Sequence, residues 1–250
     1  MIVEWECILD CNFKCEYCSN GRNSALKEPI KFEKDKIKVF DFLSELKSKY
    51  PNEELFLFGG EPFLHPFIDE IIKYLNLIKM KFIIQTNCFM INTIKTINEN
   101  FEIQVSIHPT QIKDKNSFIQ SLIEIKDKIR RIDVMFVGDE TLEFVKLLIT
   151  EFKDKIVVKP IADFSETTFA NNHLFNFNKI KKTIVGKIYK FEEGQRSFLW
   201  EDQMMGKISF KNKPCLYKDS YILFDPMLKS YNCSHRQNNE ICPNDYCFLM

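Results

Sequence analysis

Cys11, Cys15 and Cys18 fall within eight residues near the start of the chain, in the stretch DCNFKCEYCSN (10–20). A short loop can turn three thiolates towards one point, and soft thiolates select iron–sulfur clusters, zinc or copper(I). Three ligands from one loop leave a four-iron cubane with one iron open to a further ligand. A structural zinc site closes four protein ligands instead. Cys7 offers a fourth sulfur, but strand alternation places it on one face with Val3 and Trp5. Cys7 and Cys88 therefore read as small buried hydrophobes. A second set, Cys215, Cys233, Cys242 and Cys247, lies near the other end. Four thiols can fully ligate one cubane. Zinc is the alternative there, although four-cysteine zinc sites usually use CxxC pairs, which this set lacks.

The rest of the composition narrows the setting. The chain has 250 residues and is 45% hydrophobic, enough for a sizeable core. No run reaches the ~18 apolar residues of a membrane span. Glu4, Glu6 and Asp10 interrupt any signal peptide. A cytoplasmic protein with no membrane partner is expected, and clustered thiols there point to metal or redox chemistry. Lys plus Arg equals Asp plus Glu at 35 each, so charge gives no argument for nucleic acid.

The elements that position the thiols alternate between two periods. Strands are expected at 2–9, 54–58, 81–86, 103–107, 132–137 and 155–161. Helices are expected at 32–50, 66–78, 91–98, 117–129 and 141–152. In the first helix, Ile37, Phe40, Leu43 and Leu46 mark the expected buried face. Strands alternating with helices imply right-handed crossovers and a parallel sheet, with a site at the strands' carboxyl ends. Pattern alone does not separate a flat doubly wound sheet from a curved partial barrel. After Ile161 the chain turns polar and irregular. One more helix fits 179–191, and short strands fit the segments before Cys215 and Cys233, with a turn at Asp225-Pro226.

Cx3CxxC directly after the first strand, with Tyr17 before the last cysteine, resembles the radical S-adenosylmethionine (radical SAM) superfamily. LFLFGGEP adds to the resemblance by placing Gly59-Gly60-Glu61 at the end of the second strand, as that family's GGE motif. Together they cover residues 1–161. The resemblance implies an α/β fold: a partial (β/α)6 barrel of parallel strands (1–165) with a small C-terminal cysteine-rich extension (166–250). It also implies a 4Fe–4S cluster on Cys11, Cys15 and Cys18, and S-adenosylmethionine on the open iron. Gly59 and Gly60 are then expected to let the backbone approach the cofactor. The Glu61 region is expected to receive the methionine amino group, and residues around Tyr17 to border the adenine. Thr86, with Gln85 and Asn87, ends the third strand. Ser106 and His108 end the fourth, where ribose and methionine contacts are expected, although ordinary core or cap polar groups fit them equally. Lys159 ends the sixth, placed to meet the cofactor carboxylate or the substrate.

PCLYKDSYILFDPMLKSYNC is similar to the start of the SPASM and Twitch extensions of radical SAM enzymes. Phe224-Asp225-Pro226 and Tyr231-Asn232-Cys233 match, while the usual turn glycine is absent. The resemblance implies one auxiliary 4Fe–4S cluster on Cys215, Cys233, Cys242 and Cys247. The implied activity is hydrogen abstraction from a peptide or small-molecule substrate by a 5′-deoxyadenosyl radical. An external one-electron donor such as flavodoxin or ferredoxin would drive it. The first strand begins at residue 2, so no leader-peptide-binding domain is expected ahead of it. The competing readings are an activase that makes a glycyl radical on a partner protein, and a zinc- or cluster-stabilised binding module without catalysis.

Overall fold

The computed structural model describes residues 1–15, 18, 32–135, 139–159, 212, 214 and 219–232. Strands β1 (Ile2–Ile8), β2 (Glu54–Gly59), β3 (Lys81–Thr86), β4 (Glu102–Ile107), β5 (Ile129–Met135) and β6 (Ile156–Lys159) pair in parallel with their sequence neighbours. Helices α1 (Lys36–Lys49), α2 (Ile68–Leu77), α3 (Ile91–Thr96), α4 (Lys115–Glu124) and α5 (Asp139–Phe152) connect them. From β1 to β6 the strand order never reverses, so right-handed crossovers put all five helices on one face. A doubly wound sheet needs a reversal to cover both faces. The strictly sequential order is that of a barrel wall.

The two faces differ in chemistry as a barrel wall requires. Val3, Trp5, Leu57, Ile84, Ile103, Val105, Ile132 and Val158 join the helix residues in one continuous apolar core. The alternate residues Glu6, Gln104, Ser106 and Asp133 are buried but polar, and lie outside that core. Gln104 Nε2 donates to Asp133 Oδ2 at 2.6 Å, and Arg131 Nε donates to Asp133 Oδ1 at 2.6 Å. Those bonds make burial of these polar groups tolerable.

Several element boundaries differ from the periodic reading. Asp35 accepts hydrogen bonds from the amides of Ile37 and Lys38, so α1 begins at Lys36 and not at residue 32. Its buried residues are Val39, Phe42, Leu43 and Leu46. Ile37 is exposed, and Phe40 stacks on Tyr74 at the surface of the helix pair. Helix α4 stops at Glu124, and β5 already begins at Ile129. Ile125, Ile129 and Ile132 mimic helical spacing. A bulge opposite Ile103/Gln104 lets Ile129 and Ile132 face the same core from within a strand.

The C-terminal strands join this sheet. β7 (Tyr221–Phe224) pairs in parallel with β1, on the side away from β2, and β8 (Ser230–Tyr231) pairs back on β7. Tyr221 donates its hydroxyl to Glu4 at 2.6 Å. In the Asp225-Pro226 turn, the Asp225 carboxylate accepts from the amides of Met227 and Lys229 and from the Tyr231 hydroxyl. Leu228 takes φ 64°, the left-handed conformation that glycine favours. It stands where the sequence lacks its turn glycine.

Candidate functional site

The cysteine loop leaves β1 and is fastened to the end of β2 by backbone bonds. Gly60 N–H donates to the Ile8 carbonyl at 2.7 Å, and Glu61 N–H to the Asp10 carbonyl at 2.8 Å. That fastening explains both glycines. Gly59 has φ 148°, and a Cβ there would overlap the Ile8 carbonyl oxygen. A Cβ on Gly60 would sit 2.6 Å from the Leu9 carbonyl oxygen and collide with the Asp10 carbonyl. Both glycines thus permit a close approach of the chain's own backbone.

Glu61 ties the second strand to the third. Its carboxylate is fully buried and accepts three hydrogen bonds: from Thr86 Oγ1 (2.8 Å), from the Asn87 amide (2.8 Å) and from the Phe63 amide (3.1 Å). Burial pushes its carboxyl up to about 7, against the pull of these donors. Thr86 is buried as well and accepts from the Cys88 amide. Cys88 and Cys7 are both buried thiols pushed well above the usual range by burial, as small hydrophobes and not ligands would be.

Asn87 carries the connection to the cysteine loop. Its Oδ1 accepts from the Phe89 amide at 2.9 Å, which fixes the direction of its side-chain amide. Its Nδ2 then faces Asn12 Oδ1 at 2.9 Å and Cys11 Sγ at 3.7 Å. The Phe13 amide donates to the same sulfur at 3.4 Å. Two N–H donors on one sulfur suit a thiolate, since a thiol is a weak acceptor. Burial raises the Cys11 thiol above its ordinary value, the Phe13 amide and Asn87 pull it back towards the thiolate, and the nearby Glu61 and Cys18 charges add to the rise. Cys11 is exposed, Cys18 half-buried and Cys15 buried.

Among the described residues, no three His, Cys, Asp or Glu side chains converge on a single metal ion. A tetrahedral zinc–thiolate site would need its sulfurs within about 4 Å of each other, given Zn–S near 2.3 Å. A four-iron cubane spaces its thiolates more widely. The side-chain nitrogen of Asn12, inside the Cys11–Cys15 loop, is buried and has no acceptor among the described residues. Paired donors on a sulfur, a buried unpartnered N–H and an all-thiol ligand set fit an anionic cluster with acceptor sulfurs.

The rim of the site is aromatic. Phe13 meets the rings of Phe89 and His108 edge-on at 5.7 and 6.0 Å. Lys14 N–H donates to Gln111 Oε1 at 3.2 Å, fixing the loop to the turn after β4. Ser106 Oγ and His108 Nε2 lie 3.1 Å apart, and burial pulls His108 down to about 4. His108 is therefore neutral at pH 7. Cys11, Gly59, Gly60, Glu61, Thr86, Ser106 and His108 all gather at the carboxyl ends of β1–β4. Tyr17, the side chain of Lys159, Cys215, Cys233, Cys242 and Cys247 lie outside the described residues. Asn12, Phe13 and Gln111 also meet at this candidate site and were passed over by the spacing argument.

The family model of the radical SAM superfamily matches residues 5–161, more than half of the sequence. The chain belongs to the radical SAM superfamily. No curated protein matches it. Among solved structures, Streptococcus suis SuiB bound to S-adenosylmethionine is similar with a TM-score of 0.58 at 13% identity, over 93% of this chain and 60% of SuiB. SuiB bound to its precursor peptide SuiA is similar with a TM-score of 0.55 at 14% identity, over 97% of this chain and 61% of SuiB. The protein anSMEcpe with bound AdoMet is similar with a TM-score of 0.57 at 17% identity, over 98% of this chain and 75% of that one. This radical SAM chain thus spans about three-fifths of the length of SuiB. At these identities the likeness is one of fold.

Proposed function

We propose that this radical SAM protein is an enzyme that holds a 4Fe–4S cluster on Cys11, Cys15 and Cys18 and abstracts hydrogen from a peptide or small-molecule substrate. When bound, the cluster supplies one electron to S-adenosylmethionine, whose cleavage yields methionine and the 5′-deoxyadenosyl radical that takes the hydrogen. One observation carries the reading: the thiol loop is fastened to the GGE segment, and protein N–H donors are aimed at the Cys11 sulfur.

The chain's own residues supply placement. Gly59 and Gly60 let β2 close against the exit of β1, which fixes the loop that carries the thiols. Glu61 locks the ends of β2 and β3 together through Thr86 and Asn87. Phe13, Phe89 and His108 form an aromatic rim that sets the boundary with water. Neutral His108 adds no positive charge there.

The peptide branch of the substrate reading is supported by a neighbour of the same fold that was solved with its precursor peptide. We assign an auxiliary 4Fe–4S cluster to Cys215, Cys233, Cys242 and Cys247, as electron acceptor after abstraction. Its support is the Asp225 turn, which leads directly to Asn232 and Cys233. An external flavodoxin or ferredoxin would be the donor to the first cluster, in the cytoplasm. Anaerobic reconstitution tests the whole reading. About eight irons per chain support two cubanes. About four remove the auxiliary cluster. Zinc with no iron removes the enzyme.

A further inference from the structure

The geometry points to Asn87 as a positioning residue that sets the reduction potential of the cluster on Cys11, through an N–H···S bond to that thiolate. The inference rests on the proposed cluster at Cys11, Cys15 and Cys18, and concerns a residue outside the motifs.

One backbone contact and three side-chain contacts hold this residue. The Asn87 backbone amide is held by Glu61 Oε2 at 2.8 Å, and its side-chain oxygen by the Phe89 amide at 2.9 Å. Its Nδ2 is left to face Cys11 Sγ at 3.7 Å and Asn12 Oδ1 at 2.9 Å. Asn87 itself is almost wholly buried, which shields the donor end of these bonds from water. One-electron reduction adds negative charge to the cluster and its thiolates. A donor fixed on a ligating sulfur stabilises the reduced state more than the oxidised one, which raises the potential. Glu61 therefore reaches the cluster indirectly: by holding Asn87, it aims the donor.

The test is potentiometric titration of the reconstituted protein, followed by electron paramagnetic resonance, for wild type, Asn87→Ser and Asn87→Asp. Serine keeps an oxygen for the Phe89 amide and removes the Nδ2 donor. Aspartate keeps the shape and puts a negative charge beside the sulfur. Iron content and S-adenosylmethionine binding are measured on each sample. The expected order of potentials is wild type, then Ser, then Asp. The reduced-to-oxidised ratio at the wild-type midpoint should fall on the order of tenfold in Asn87→Ser, which is about 59 mV for one electron. Unchanged potentials in both loaded variants would overturn the inference. So would loss of the cluster from both variants with the fold intact, because Asn87 would then hold the loop and not tune the cluster. A wild type that takes up no iron would instead sink the proposed cluster itself.

Discussion

Glu61→Gln isolates the buried carboxylate on which the site is built. Burial raises the Glu61 pKa from 4.5 to about 7. The folded protein therefore holds this proton more tightly than the unfolded chain does. The resulting stability is fully present below pH 4.5 and is lost as pH rises through about 7. At 1.36 kcal/mol per decade the full effect is about 3 kcal/mol, of which about 2.5 kcal/mol falls between pH 5 and pH 8. Glutamine does not titrate. Its amide oxygen can still accept from Thr86 and Phe63, but its –NH2 group would face the Asn87 amide, donor against donor. That mismatch costs about 1–3 kcal/mol at every pH. Urea unfolding of the cluster-free protein at pH 5, 6, 7 and 8 reads both quantities. The stability difference, wild type minus Glu61→Gln, should shrink by about 2.5 kcal/mol across that range, while all other carboxylates cancel. A difference that stays constant with pH would refute the assignment of a raised carboxyl to Glu61. A difference that grows would reverse its sign.

Gly60→Ala should cost about 3 kcal/mol or more and lower iron uptake, because its Cβ collides with the Asp10 carbonyl before any cofactor is present; calorimetry and iron content check this. Cys7→Ala should cost about 1–2 kcal/mol from lost burial and leave iron content unchanged, which separates a core thiol from a ligand. The double variant Cys233→Ala with Cys242→Ala should lose about four irons, still cleave S-adenosylmethionine without product, and keep its melting temperature. Full product formation by that double variant would remove the auxiliary cluster from the mechanism.

Much of this was legible in the sequence because the signals were local. The cysteine spacing, GGE at a strand end and the alternation of periods each depend on neighbours along the chain. β3 occupies the expected residues, 81–86. The misreadings come from tertiary geometry. Ile37 follows helical spacing yet faces solvent, because α1 presents Val39 and Phe42 to the sheet. Ile129 reads as helix until the bulge against β4 is known. The crowding of Gly60 by the Asp10 carbonyl, 50 residues away in sequence, arises only through β1–β2 pairing and no local signal encodes it. Asn87 was visible only as the residue after a strand. Its importance comes from the convergence of Glu61, Phe89 and Cys11, which no spacing rule encodes.

The central claim is that the loop of Cys11, Cys15 and Cys18 holds the cluster that cleaves S-adenosylmethionine. Formation of 5′-deoxyadenosine after reduction with dithionite, compared between wild type and Cys15→Ala, tests it most directly. The account predicts steady formation by the wild type and none by the variant, whose circular dichroism still shows the α/β fold. Formation at the wild-type rate by Cys15→Ala, or none by an iron-loaded wild type, would contradict it.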